Sequence, residues 1–171
     1  MPTEIKTINS SYENTFFPKT KVKFHRKQVT NPAGDIIEGI FADFSYYSLF
    51  EVILPKLYYD SSDKEQFNYC LDQLKNRFRT KQKAFEKKLV ADHHLLIDNG
   101  INTLHGVVLD SKSILEKQLN DILKTSSVQQ GRFYGYTWHH TENLGEMQLI
   151  PDFIHKKVRH TGGKHIWGAD R

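Results

Sequence analysis

Tyr136-Thr137-Trp138-His139-His140 is the stretch on which the reading of the fold turns. Aromatic and β-branched residues favour an extended chain, and neighbours on a strand face opposite ways. Tyr134, Tyr136 and Trp138 therefore share one face and Thr137 and His139 the other, which leaves adjacent histidines for two different tasks. Working outward, five of the nine histidines fall between positions 139 and 165, namely His139, His140, His155, His160 and His165. A neutral imidazole ligates zinc and related divalent ions and is also the natural proton acceptor near pH 7. Thr141 to Gly145 reads as a polar loop and Met147 to Ile150 as a second strand. Pro151-Asp152 opens a brief helix over Phe153 to His160, which Thr161-Gly162-Gly163 ends. Strand, loop, strand, helix is a ββα unit, too small to bury much apolar surface alone, so a bound metal is a sensible staple.

That arrangement suits one class of chemistry. Hydrolysis of a phosphodiester needs a cation to stabilise developing charge on the phosphate and a base to deprotonate the attacking water. An extended His-His pair divides those duties, with His139 turned to the ion and His140 to the substrate. In a ββα fold the helix brings His155 back against the first strand.

Tyr136-Thr137-Trp138-His139-His140, Met147-Gln148-Leu149-Ile150-Pro151, His155 and His160-Thr161-Gly162-Gly163-Lys164-His165-Ile166-Trp167-Gly168 together resemble the WHH family of the HNH/endonuclease VII superfamily of treble-clef nucleases. The resemblance covers about residues 132 to 168. It implies a metal-dependent endonuclease acting on DNA, of the kind found as toxin tips of bacterial polymorphic toxins. Such domains form the C-terminal part of a larger secreted protein, are delivered into a target bacterium, act in its cytoplasm and are neutralised by a dedicated immunity protein. Carried over by position, the resemblance makes His139 and His155 metal ligands and His140 the general base. His160 is the choice for third ligand. It stands five residues after His155, about 140° round a helix, so the helix must end or tighten before it. The asparagine that names the wider motif is replaced by spacing with Glu146, which could orient an imidazole as a hydrogen-bonded neighbour of a metal site does. Asn143 in the loop is a second candidate for that place.

Lys156, Lys157, Arg159 and Lys164 surround these histidines and read as contacts to a phosphate backbone, which position a nucleic acid without reading its bases. His165 reads as a hydrogen-bonded core histidine, Trp138 as packing, and Gln148 as a strand residue or a substrate contact. Zinc is the first choice of ion, with magnesium, manganese and nickel also compatible. An RNase with the same site is one alternative. A non-catalytic module in which zinc only staples the ββα unit and the surface binds nucleic acid or protein is another. His140 separates the last reading from catalysis, because structural zinc takes four protein ligands whereas catalytic zinc leaves a position open. The His-Glu-x-x-His helix of a zinc peptidase is absent from the sequence.

The totals fit this picture without requiring it. The 171 residues, 38% apolar and 26% charged, suit one globular domain, and a formal charge of +4 permits a polyanionic partner. Cys70 is the single cysteine, which excludes an internal disulfide and a thiolate zinc site. No apolar run approaches the roughly 18 residues of a membrane span, and Met1-Pro2-Thr3-Glu4-Ile5-Lys6 lacks the pattern of a cleaved secretory signal.

Upstream, residues 1 to 19 read as a loose lead-in. Thr20 to Val29 alternates, Asn31-Pro32-Ala33-Gly34-Asp35 is a turn cluster, and Ile36 to Phe44 returns, which predicts a hairpin with His25 on its solvated face. Tyr46 to Tyr59 predicts a short helix or buried turn around Pro55. Ser62 and Glu65 have capping-box spacing before an apolar stripe of Phe67, Leu71, Leu74 and Phe78. A second helix is expected from Thr80 to Asp98, and a third after a Ser113–Glu116 box, with Leu115, Leu119 and Ile122 inward. Cys70, His93 and His94 read as structural. Lys75, Arg77, Arg79, Lys81, Lys83, Lys87 and Lys88, opposed by Glu86 alone, form the most basic stretch, a solvated helix face or a grip for phosphates or an acidic partner. Thr125 to Gln130 is the candidate boundary. The expected fold class is α+β: residues 1–130 form a β-hairpin and helical supporting region, packed with an HNH-like ββα-metal motif over 131–171 in one compact domain.

Overall fold

The computed structural model describes residues 1–124 and 130–171. The boundary expected at Thr125 to Gln130 therefore lies, except for Gln130, outside the described residues. The fold is α+β. Strand β1 (Thr3–Glu4) runs parallel to β3 (Ile36–Asp43), which pairs antiparallel with β2 (Lys23–Thr30) across the predicted Asn31–Asp35 turn. A second sheet sets β4 (Phe50–Ile53) beside β8 (Glu146–Pro151), and β8 beside β7 (Tyr136–His140), all antiparallel. Between them in the chain come α1 (Asp63–Ala91), α2 (His93–Asp98), a small β5–β6 hairpin (Thr103–Leu104 with Val107–Val108) and α3 (Ser111–Leu123); α4 (Asp152–Lys157) follows β8.

The C-terminal sheet separates two apolar clusters, which is why every residue of β7 is buried. On one side Tyr136, Trp138, Met147 and Leu149 pack with Phe67, Leu71, Leu74 and Trp167. On the other, Ile150 joins Phe44, Ile154 and Val158. A strand covered on both faces needs apolar residues at both parities, and β8 supplies them with Leu149 and Ile150.

The structure corrects several expectations. Tyr46 to Tyr59 is not one helix or turn. Single 3-10 turns at Ser45–Tyr47 and Lys56–Tyr58 flank β4, whose Val52 faces inward while Glu51 and Ile53 face out. The ββα unit thus gains its third strand from the region expected only to support it. The lead-in is ordered: Tyr12 stacks near Phe17 and Phe24, and Glu13 bridges to Phe24. The third helix is capped by Asp110, whose carboxylate accepts from the Ser113 amide at 2.8 Å, so the capping signal lay three residues earlier than read. Ile114 joins Ile122 as its fully buried contact.

Ser62 caps α1 as expected, accepting from the Glu65 amide. The second helix starts where it was expected, near Thr80: α1 is two helical stretches joined at a break at Lys81 (φ −133°, ψ 36°). Straight, 29 residues would reach about 44 Å, yet both ends meet β7: Gln66 touches His140, and Asp92 accepts from the Tyr136 hydroxyl at 2.7 Å. The bend at Lys81 reconciles these contacts, and Phe78 and Phe85 meet edge-to-face across it.

Candidate metal centre and base

His139 projects from β7 toward Phe44, their rings 4.7 Å apart. His155 rises from α4 and His160 follows three residues after α4 ends, because Val158 takes an extended conformation. That early end resolves the awkward five-residue spacing. The rings of His139 and His155 lie 5.4 Å apart, His139 and His160 4.8 Å, and His155 and His160 5.0 Å. One ligand nitrogen from each falls within 4.8 Å of the others, and this triad could hold a metal ion. Small ring rotations convert such spacing into the ~2.0–2.1 Å bonds of a shared zinc ion.

The donor atoms fit a metal. The His160 Nδ1 donates to the Val158 carbonyl at 2.7 Å, and since a carbonyl only accepts, Nε2 keeps its lone pair. Among the described residues no group hydrogen-bonds either ring nitrogen of His139, which is 3% exposed, or of His155. Buried polar atoms without partners are rare unless something absent satisfies them. Burial, and then His160 and His155 alongside, hold His139 well below the usual imidazole range. Burial, then His160, lowers His155 to about 4, and burial lowers His160. Neutral rings are the ligating form.

His140 stands on the opposite face of β7, flanked by Phe67 and Trp167 at ring distances of 5.7 and 5.6 Å. Its Nε2 lies 2.7 Å from Gln66 Oε1 and 3.8 Å from Asp63 Oδ1, and Lys164 Nζ in turn sits 3.1 Å from Asp63. Burial lowers His140 to about 4, opposed by Asp63 and reinforced by Lys164. The ring is therefore neutral at pH 7 and able to accept a proton. It lies outside the triad, which leaves three imidazoles rather than four.

Both groups open onto one cavity of about 430 Å³, also lined by Asp63, Arg132, Lys156, Lys164 and His165. The basic residues are unequal. Lys156 pairs with Asp152 at 2.6 Å and Lys164 with Asp63. Lys157 and Arg159 are exposed but do not line the cavity. Arg132, which the sequence did not single out, is exposed on its rim without an ion pair among the described residues. His165 is exposed there and is not the core histidine expected. Arg77, Arg79, Lys81, Lys83, Lys87 and Lys88 are exposed along α1, away from this cavity's lining.

Glu146 requires correction. The register of β8 sets it opposite Ile53, and its carboxylate accepts from Asn143 Nδ2 at 3.3 Å, in a cleft with Lys27 and Glu142. It orients no imidazole, nor does Asn143, whose Oδ1 accepts from Lys27 at 2.6 Å. Gln148 is a strand residue, its amide donating to Ser45 and Glu51. His93 and His94 are structural: His93 is held by Ser111 and Gln118, and His94 by the Ala91 carbonyl. Burial raises the Cys70 thiol to about 12, consistent with a small core residue.

Residues far upstream build the centre. Phe44 packs edge-on to His139 and His160. Asn9 Nδ2 donates to the Arg159 carbonyl at 2.7 Å and the Ile8 amide to Thr161 Oγ1 at 3.0 Å, tying down the loop that carries His160. Gly163 lies where Trp167 Nε1 donates to the Thr141 carbonyl, and any Cβ there would strike both groups.

With paired strands, a short helix and two imidazole groups in these positions, comparison with known families is decisive for the segment. Residues 129–170 match the WHH family. Its description is a nuclease of the HNH/ENDO VII superfamily with a conserved WHH, which here is Trp138-His139-His140. No curated protein and no solved structure matches the chain. Nucleases of this superfamily depend on a metal, and the triad of the WHH segment is placed to hold one. Phe44, Gln66 and Asn9 lie outside the matched segment, and no spacing rule would have found them.

Proposed function

We propose that the chain is a divalent-metal-dependent endonuclease that hydrolyses DNA phosphodiesters, with His139, His155 and His160 holding the ion and His140 as general base. The observation that carries this reading is the division of the His-His pair. One ring joins two others with a nitrogen of each close enough to share an ion, while the other is neutral and set apart in the same cavity. Bound there, the ion would stabilise negative charge developing on the scissile phosphate. His140 takes the proton of the attacking water, and the apolar walls of Phe67 and Trp167 keep the ring neutral until it does so. Arg132, Lys156 and Lys164 on the cavity wall, with Lys157 and Arg159 beyond it, contact the phosphate backbone, and such contacts confer no base preference. Three protein ligands rather than four favour this over a metal that only staples the fold.

The biological setting follows from the resemblance to toxin tips. In this reading the chain is the C-terminal part of a larger secreted toxin, acts in the cytoplasm of a target bacterium, and is neutralised by an acidic immunity protein. The +4 charge and the exposed cations Arg77, Arg79, Lys81, Lys83, Lys87 and Lys88 along α1 are compatible with such a partner. The test is incubation of the purified chain with plasmid DNA and with RNA, in EDTA and with zinc, magnesium, manganese or nickel restored. Nicking and linearisation of plasmid only with metal is expected. No cleavage of DNA under any of these metals would overturn the proposal, and cleavage of RNA alone would reassign the substrate.

A further inference from the structure

We infer that Gln66, from the first turns of α1, is a positioning residue that fixes His140 with its proton on Nε2, leaving Nδ1 as the nitrogen that receives the proton of water. The inference rests on His140 being the base of the proposed reaction and adds how that base is oriented. Gln66 is 1% exposed. Its Nε2 donates to the carbonyls of Tyr58 at 2.8 Å and Tyr59 at 3.3 Å. Those backbone oxygens only accept, so the amide cannot be reversed without placing its own oxygen against them. Oε1 is therefore the atom that faces His140 Nε2 at 2.7 Å. It too can only accept, so the proton between them belongs to the imidazole.

Asp63 adds to the same side. Its Oδ1 stands 3.8 Å from the same ring nitrogen, anchored by Lys164. Two acceptors facing Nε2 make the opposite tautomer unfavourable, since it would set lone pair against lone pair. Among the described residues nothing hydrogen-bonds Nδ1. The flanking rings of Phe67 and Trp167 oppose a ring flip that would exchange the two nitrogens. A neutral histidine with an unconstrained tautomer spends part of its time with the wrong nitrogen protonated. Gln66 removes that loss from a position 74 residues before the base. It fills the orienting role expected of Glu146.

The tautomer is read directly by long-range ¹H–¹⁵N NMR of the histidine side chains in the full chain, with His140→Ala to assign the signal. The parent is expected to carry its proton on Nε2. Gln66→Leu is expected to show both tautomers and to lose at least ~10-fold in kcat with KM unchanged. A parent spectrum with the proton on Nδ1 overturns the inference whatever the variants do. So does a Gln66→Leu protein with the parent's tautomer and kcat. Because the spectrum needs no substrate, a wrong tautomer and a chain that cleaves nothing are separate failures.

Discussion

In the proposed reaction His140 acts through a ring that is neutral, aligned and not a ligand. Replacing it with alanine removes the proton acceptor but leaves the three-histidine group intact. His140→Ala is therefore expected to retain its fold and its metal while plasmid cleavage falls by at least ~100-fold. Cleavage at the parent's rate would remove His140 from the mechanism. The separation of His139 from His140 was open to sequence reading because the two are adjacent on a strand, where opposite faces follow from geometry. The convergence of His155 and His160 was readable only as far as Gly162-Gly163 allowed an early helix end; the actual stop is Val158. Glu146 misled because spacing along the chain says nothing of strand register, which turned its carboxylate to Asn143. Gln66 could not be read at all. A glutamine in an amphipathic helix carries no spacing signal, and its importance comes from two backbone carbonyls on an unrelated turn.

Among the elements, the one that locks the site is the loop after α4. Gly163 is required by close approach, since Trp167 reaches over it to the Thr141 carbonyl at the end of β7. Gly163→Ala must displace that indole. The overpacking of about 1–3 kcal/mol, with a buried hydrogen bond of about 1 kcal/mol lost, predicts a destabilisation of about 2–4 kcal/mol. Urea unfolding of the two proteins measures it, and identical midpoints would show that the loop accommodates the methyl. Gly131 plays a similar part at the other end of the motif. Its φ of +77° and its contact with the α1 backbone at Phe67 exclude a side chain, and its carbonyl accepts from Trp138 Nε1 at 2.8 Å. The hairpin, the stripe of α1 and the β7–β8 pairing were legible because their periodicities were intact. Strand β4 was hidden, because four residues beside Pro55 are too few to establish an alternation. The bend in α1 falls at Lys81, one residue from the helix boundary expected at Thr80, although Lys81 itself carries no helix-breaking signature.

For the molecule as a whole, the buried imidazoles link stability to pH. In chelator-treated protein His140 and His155 titrate at about 4 when folded and near 6.5 when unfolded. Between those values the unfolded chain binds more protons, so stability rises with pH through the window and is complete above it. Acidification from 6.5 toward 4 is expected to remove up to ~1.4 kcal/mol per pH unit for each ring, read as a falling melting temperature; a flat profile would mean the rings are charged or exposed when folded. The same burial ties both halves of the chain into one centre, with Phe44, Asn9 and α1 holding imidazoles that the last forty residues supply. The central claim is that His139, His155 and His160 share one cation. Calorimetric titration of zinc into the chelator-treated full chain tests it most directly, with His139→Ala and His155→Ala beside the parent. One equivalent bound by the parent, and markedly weaker binding by both variants, is the predicted result. A parent that binds no zinc, nickel, manganese or magnesium, or variants that bind as tightly as the parent, would contradict it.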